Sequence, residues 1–440
     1  MRFVLLLFCS QFLNFSSVTV QVQGCMDTKA SNYNAVATIN NGSCEYASSD
    51  VALKNLKKAT LPVTINEISG IIYFDGKLYG HNDSGGQPAI YEIDTSTGTI
   101  TKTITLQGAS NVDWEDITQD DGNIYIGDFG NNESGNRTDL IVYKFPKADI
   151  QNSAGTDVTI PSSDINLIRF KYEDQNDFTK KQPNSTNFDC EAFFCDNGQL
   201  HLFTKNWTGN FTAHYVLDAD TYSGVQTAIR KDSFNTQGTL ITAATLLNDK
   251  TVLLLGYEVT GIPSGNLWII SDFDDVNQLF VTGNKRKAGL GYIVDDATSG
   301  IGQIEGLAMA GNERVFITSE YFARTFAGLN FTIPQTLYGL TVTEWLPTYA
   351  VPPTSTGFSW KVSPSPFSDK LQLDIFCEND QQVKVTLHDL LGRELISKKL
   401  TCSKGENKYE LNDLSGLNKS IYVVAAKSPD GSLIKKVMKE

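Results

Sequence analysis

Asp113-Trp114-Glu115-Asp116-Ile117, followed after a short turn by Gly122-Asn123-Ile124-Tyr125-Ile126-Gly127, is the stretch on which the fold turns. It reads as two short strands of alternating apolar residues joined by a Gly/Asn/Asp turn, the pattern of a β-hairpin. The unit recurs. Upstream it is Asn66-Glu67-Ile68-Ser69-Gly70-Ile71 with Gly76-Lys77-Leu78-Tyr79-Gly80. Downstream it is Asp189-Cys190-Glu191-Ala192-Phe193 with Gly198-Gln199-Leu200-His201-Leu202, and Gln303-Ile304-Glu305-Gly306-Leu307 with Glu313-Arg314-Val315-Phe316-Ile317. A copy without the acid is Thr242-Ala243-Ala244-Thr245-Leu246 with Asp249-Lys250-Thr251-Val252-Leu253. From Glu67 to Glu115 is 48 residues, and from Glu115 to Glu191 is 76. Strand-built repeats of about this length are propeller blades, and each needs two further strands, such as 89–93 and 98–104 in the first copy. The expectation is an all-β fold: a five- or six-bladed β-propeller over 50–347. A sixth blade or an insertion would fill the long interval between Glu115 and Glu191. A pair of long β-sandwiches is the competing architecture.

The chain around this body, 440 residues in all, is too long for one core. With 40% apolar and 20% charged residues it is globular rather than disordered. The net charge is −14, and the acid is concentrated ahead of Trp360, since residues 360–440 carry +2. An acidic body excludes non-specific nucleic-acid binding. The opening Met1-Arg2-Phe3-Val4-Leu5-Leu6-Leu7-Phe8 has the basic-then-apolar form of an export signal, expected over 1–23. It is too short to span a membrane, and no later segment is apolar enough to do so. Removing it leaves six cysteines in three close pairs, which in an exported chain suggests disulfides at Cys25–Cys44, Cys377–Cys402 and Cys190–Cys195. The last of these needs a turn between its members, because positions five apart on a strand cannot be bridged. A Cys-bounded module occupies 24–46. A Pro/Ser/Thr-rich linker at 348–358 separates the propeller from a C-terminal domain at 359–440, whose alternating strands and Gly/Asn/Asp turns predict a small antiparallel β-sandwich.

The repeated glutamates are the candidate site. The first strand of each blade lines the central channel, so Glu67, Glu115, Glu191 and Glu305, at the starts of these strands, would ring one mouth. The second strands return to the same face in polar clusters that include Asp83, Asp128, Lys205-Asn206-Trp207 and Ser319-Glu320-Tyr321. Carboxylates converging on a narrow mouth repel unless they are protonated or share a cation. Oxygen-rich sets of Asp, Glu and Asn suit calcium. The expected metal ligands are therefore Glu67, Glu115, Glu191, Glu305, Asp83 and Asp128. The structural alternative is that each Glu accepts hydrogen bonds from the backbone of a neighbouring blade. Trp114, Trp207, Trp268 and Tyr321 could stack on sugars at the loop face or pack between blades. The chain contains no G-x-S-x-G elbow, H-E-x-x-H helix or phosphate-binding loop, and four histidines are few for zinc.

Three resemblances add to this. Gly24-Cys25-Met26-Asp27, Asn32-Tyr33-Asn34 and Gly42-Ser43-Cys44-Glu45-Tyr46 resemble a short repeat of Bacteroidetes-type secreted proteins; that family's usual Asp before the Gly implies calcium, but Asn40-Asn41 stand here. The body, through Glu67-Ile68-Ser69-Gly70, Asn82-Asp83-Ser84-Gly85-Gly86, Trp114-Glu115-Asp116-Ile117, Gly127-Asp128-Phe129-Gly130-Asn131-Asn132 and Ile304-Glu305-Gly306-Leu307, loosely resembles phytase-like and lactonase-like propellers. This implies calcium and, in some members, hydrolysis of phosphate esters or lactones, although the basic residues of a phytate site are missing. Val362-Ser363-Pro364-Ser365-Pro366-Phe367, Leu390-Leu391-Gly392-Arg393 and the basic tail Ile434-Lys435-Lys436-Val437-Met438-Lys439 resemble a type IX secretion sorting domain. That implies passage through the type IX machinery to the cell surface or beyond. The expected function is a secreted or surface-displayed, calcium-supported propeller that binds an extracellular ligand, a carbohydrate or a phosphate ester, without chemistry of its own. The alternatives are a metal-dependent hydrolase and an adhesive envelope component.

Overall fold

The tight turns of the repeats are made by residues suited to a left-handed backbone. Asp75-Gly76 (φ 51° and 76°) and Asn197-Gly198 (φ 47° and 75°) both place two successive residues at positive φ, the geometry whose twist matches that of paired strands. A computed structural model describes residues 22–440 apart from 261–262, 296–298, 312, 327–328, 350–357, 390–392 and 429–430. Nearly all of the expected export signal and most of the expected linker lie outside the described residues. The chain divides into two units, 1–348 and 349–440.

The first unit is a propeller of five four-stranded antiparallel blades among the described residues. Blade I is Ile68–Phe74, Lys77–Asn82, Ala89–Ile93 and Ile100–Leu106. Blade II is Trp114–Gln119, Asn123–Asp128, Ile141–Pro146 and Asn166–Tyr172. Blade III is Cys190–Asp196, Gln199–Thr204, Phe211–Asp218 and Val225–Asn235. Blade IV is Leu240–Asn248, Thr251–Glu258, Ser264–Ser271 and Asn284–Tyr292. Blade V takes Ile304–Met309, Arg314–Ser319 and Thr336–Thr341 from the end of the body, and Lys57–Thr60 from its start as the outermost strand. The innermost strands pack in the order I, II, III, IV, V and back to I, which closes the ring. The interval between Glu115 and Glu191 holds an insertion rather than a sixth blade. Its strand Asp157–Ile160 pairs parallel with the outer edge of blade I. The outer strands of blades II and III also pair in parallel, Arg169 opposite Val225, so these two blades form one continuous sheet.

Alternation along each inner strand sends successive side chains to opposite neighbours. Phe193 packs towards blade II with Tyr125, Phe129 and Ile168. Phe194 packs towards blade IV with Ile241, Leu254 and Trp268. Each of the five blade interfaces has an apolar cluster of this kind. Burying a Phe or Leu there contributes roughly 1.5–3 kcal/mol, so the ring is held by its interfaces. Trp114 and Trp268 belong to these clusters and are not on the loop face.

The N-terminal module is a clasp on the propeller. Cys25 and Cys44 are disulfide-bonded. Lys29 Nζ donates to the carbonyls of Thr343, Glu344 and Leu346 at 3.2, 2.9 and 2.7 Å. Thr28 N donates to Thr348 O at 2.7 Å, and Thr348 N to Asp27 Oδ1 at 2.9 Å. On its other side, Cys44 N meets Asn284 Oδ1 of blade IV, and Ser49–Asp50 pairs parallel with that blade's outer strand. Cys190 and Cys195 lie on one strand with no turn between them, so that pair is not bridged. Cys377 and Cys402 are buried thiols whose side chains adjoin each other.

The second unit is a two-layer sandwich. A three-stranded sheet of Phe358–Ser363, Leu371–Cys377 and Gly405–Leu411 faces a four-stranded sheet of Glu394–Cys402, Gln381–His388, Ile421–Ser428 and Gly431–Met438. Leu371, Leu373 and Ile375 of one sheet share a core with Val383, Val385, Leu387 and Val424 of the other.

Candidate cation site at the channel mouth

The site is built by an irregularity that every blade repeats. Pairing of the first two strands slips just inside the mouth, between Ile68 and Ile71, Trp114 and Ile117, Cys190 and Ala192, Ile241 and Ala243, and Ile304 and Gly306. A β-bulge at this place turns one side chain per blade towards the channel axis. The residues at this level are Ser69, Glu115, Glu191, Thr242 and Glu305. Two residues earlier stand Glu67, Asp113, Asp189, Leu240 and Gln303. Where the second strand returns, Asp83, Gly130, Lys205 and Glu320 donate their backbone N–H to the carbonyls of Glu67, Asp113, Asp189 and Gln303, and Tyr257 pairs with Leu240. The mouth is thus three concentric levels of five residues.

Four of the six expected ligands meet the cluster here. Asp83, Asp113 and Glu115 bring carboxylate oxygens within 4.8 Å of one another, and Glu115, Asp189 and Glu191 do the same. Glu305 stands at the same level as Glu115 and Glu191, and its nearest donor is Gln303 Nε2 at 2.7 Å. Two expected ligands are elsewhere. Glu67 is exposed and belongs to the outer level, equivalent to Asp113 and not to Glu115. Asp128 is buried and committed: Arg137 Nη2 lies 2.9 Å from its Oδ1, and it accepts the backbone N–H of Val112 and Asp113. It positions the segment that carries Asp113. Asp113, Asp189, Lys205, Tyr257 and Glu320 complete the mouth. The Asp-x-Glu spacing of Asp113–Glu115 and Asp189–Glu191 was the signal for the first two.

The alternative role, acceptance of neighbouring backbone, falls to other residues. Asp116, one position further in, accepts from Phe193 N of blade III at 3.0 Å and Ala244 N of blade IV at 3.3 Å. Ser69 and Thr242, at the Glu level, donate to the carbonyls of Glu115 and Ile304 in the next blade. Among the described residues, none donates a hydrogen bond to the Glu115 carboxylate, which is 5% exposed. Gly130 lies against it, and a Cβ at this glycine would fall 2.0 Å from Glu115 Oε1 and 2.5 Å from Asp113 Oδ2.

Burial and mutual repulsion set the charge state. Burial first, then Glu191, Asp83 and Asp113, hold Glu115 well above the ordinary carboxyl range. Burial and Asp113 push Asp83 up to about 7, and burial and Asp189 push Asp113 up to about 6. Glu191, Glu305 and Glu320 are raised chiefly by burial as well. Lys205 is the cation of the cluster. Burial opposes its charge, yet Glu191, Glu305 and Glu115 hold it well above its usual value. Its Nζ is 2.6 Å from Glu191 Oε2. Seven carboxyls and one ammonium therefore share a largely dry mouth. All-oxygen donors without His or Cys among them fit a hard divalent cation such as calcium. Asp113 also lines a cleft of about 490 Å³ with Ser84, Asn131, Asn132, Asn136 and Arg137.

Residues 361–440 match the family described as the secretion system C-terminal sorting domain. This domain indicates type IX export to the cell surface or outside. No helix among the described residues is long and apolar enough to cross a membrane. No curated protein matches the chain. Among solved structures, the chain is similar to PorZ, an essential bacterial surface component of the type IX secretion system of Porphyromonas gingivalis, at 13% identity and TM-score 0.30, covering 85% of this chain and 45% of that one. It thus spans less than half the length of that protein. It is also similar to the β-fructofuranosidase BmSUC1 of Bombyx mori, at 10% identity and TM-score 0.33, over 87% of this chain and 91% of that one. A structure described as a glycoside hydrolase matches at 11% identity and TM-score 0.35, over 87% and 96%.

Proposed function

We propose that this type IX-exported propeller is an extracellular binding protein that holds a calcium ion on Asp83, Asp113 and Glu115 and presents it to a ligand in the adjoining cleft. The observation that carries this is the Glu115 carboxylate, buried among other acids with no hydrogen-bond donor of its own among the described residues. A buried acid in that setting is relieved by protonation or by a cation. A divalent ion bound there would neutralise the triad and, because Asp113 also faces the cleft, would keep a coordination position towards solvent. The ligand would supply oxygens to that position, and Asn131, Asn132 and Asn136 would offer amide hydrogen bonds beside it.

A second reading, hydrolysis at the same ion, is favoured by that open position, since a bound cation can polarise an ester or activate water. Phosphate esters suit it poorly. Arg137, the basic group of the cleft, is occupied by Asp128, Asp139 and the Gly130 carbonyl. Lactones would need no such group.

Thermal unfolding of the full chain in EDTA and in millimolar calcium tests the cation. Calcium should raise the melting temperature by mass action on the folded state. Glu115→Gln should abolish the calcium response without lowering the melting temperature in EDTA, because it removes a repelled carboxylate. Equal melting curves with and without calcium would refute the site. Release of product from a lactone panel by the calcium-loaded protein, lost in Glu115→Gln, would instead support the hydrolase.

A further inference from the structure

Resting on the cation site proposed above, we infer that the mouth is a bay for two cations in which Lys205 permanently occupies the second position, as a tethered substitute for a divalent ion. The two carboxylate groups share Glu115: Asp83 of blade I and Asp113 of blade II complete one, and Asp189 and Glu191 of blade III complete the other. They differ in what the returning strand brings beside the outer-level Asp: Gly130, without a side chain, returns beside Asp113, and Lys205 returns beside Asp189. Among the described residues, no basic side chain makes an ion pair with the first group. In the second, Lys205 Nζ pairs with one member, 2.6 Å from Glu191 Oε2.

The lysine is built in. It is 3% exposed, and the rings of Trp207 and Tyr257 each lie 5.1 Å from Nζ, an arrangement that favours a cation in a desolvated site. Trp207 Nε1 also donates to Asp189 Oδ2 at 2.7 Å, and Asn131 N donates to Asp189 Oδ1 at 2.6 Å. Both oxygens of Asp189 are thereby committed, which leaves Glu191 as the carboxylate paired with the ammonium. A lysine ammonium is a compact, strongly hydrated point charge, the side chain nearest in character to a small hard ion. Its presence leaves Asp83, Asp113 and Glu115 as the group without a counter-charge of its own. It also lets the propeller fold before calcium is met, because half of the bay carries its own counter-charge.

The test is calcium stoichiometry by equilibrium dialysis on the full chain and on Lys205→Met, which keeps the apolar stem and deletes the charge. The expected result is one more ion bound by K205M than by the parent protein, and a calcium-induced rise in melting temperature larger than the parent's. The double variant K205M/E191Q removes the charge and a ligand together and should lose the extra ion. No gain of an ion in K205M overturns the inference, whatever the parent binds. A parent that binds none, with a K205M that binds one, supports it while refuting the Asp83–Asp113–Glu115 site. If K205M is unfolded in EDTA, recovery of the native circular-dichroism spectrum in millimolar calcium supports the inference, and failure to recover overturns it.

Discussion

Glu115 belongs to both carboxylate groups, so the titration of the mouth centres on it. Asp83 at about 7 and Asp113 at about 6 are raised above their unfolded values, so the folded state binds more protons than the unfolded chain across the interval between. Stability must then fall as pH rises through these values in calcium-free protein. A bound divalent ion removes that slope by taking the protons' place. The calcium-induced increase in melting temperature should therefore be larger at about pH 8 than at about pH 5, and melting curves in EDTA and calcium at the two pH values measure it. Comparing the two conditions at one pH cancels the buried His81 and His201, which are lowered by burial to about 4 and about 3 and act with the opposite sign.

At the scale of elements, the bulge and the returning turn make the site, so changes there should separate binding from folding. Gly130→Ala places a methyl where Glu115 Oε1 and Asp113 Oδ2 stand. Calcium affinity should fall by roughly tenfold or more, with the melting temperature in EDTA changed little, as titration calorimetry and calorimetric melting would show. Asp116 has the converse role. Its carboxyl bridges blades II, III and IV through two backbone N–H groups, and Asp116→Ala would leave both unsatisfied at a cost of about 1–3 kcal/mol each. The variant should melt lower in EDTA and in calcium alike. An Asp116→Ala protein with unchanged melting would show that the bridge is not needed.

For the whole molecule, the ring is closed by strands from opposite ends of the body, and the disulfide clasp fastens the same seam. Reduction, or Cys25→Ser with Cys44→Ser, opens a loop spanning 19 residues, worth about 3 kcal/mol in the chain-entropy model. It also loosens Lys29 from the carbonyls of Thr343, Glu344 and Leu346. The propeller's melting temperature should drop by several degrees, while the sandwich, with its separate core, should be unaffected. Calorimetry of the full chain with and without reductant reads the two transitions. A propeller transition unmoved by reductant would mean that the clasp adds nothing to closure.

The hairpin repeats, the interleaved apolar residues and the sorting-domain pattern are local features, so blades, sandwich and export route were legible in the sequence. The concentration of acid at one mouth was legible too, because Glu115, Glu191 and Glu305 recur at the same point of the same motif. What the tertiary structure decided was register. Matching Glu67 to Glu115 aligned the letters and missed the bulge: Ile68 and Trp114 are the equivalent residues, which leaves Ser69 at the Glu level. A slip of two residues keeps every side chain on the same face of the strand, so the apolar alternation gave no warning. The direction of Asp128 is likewise outside what the sequence shows, since it is set by Arg137 and by a loop whose path no periodicity reports. Blade number was also settled only by folding, because ring closure joins strands from opposite ends of the body. The approach of Lys205 to Glu191 follows from hairpin pairing, but its burial between Trp207 and Tyr257 depends on how blades III and IV pack.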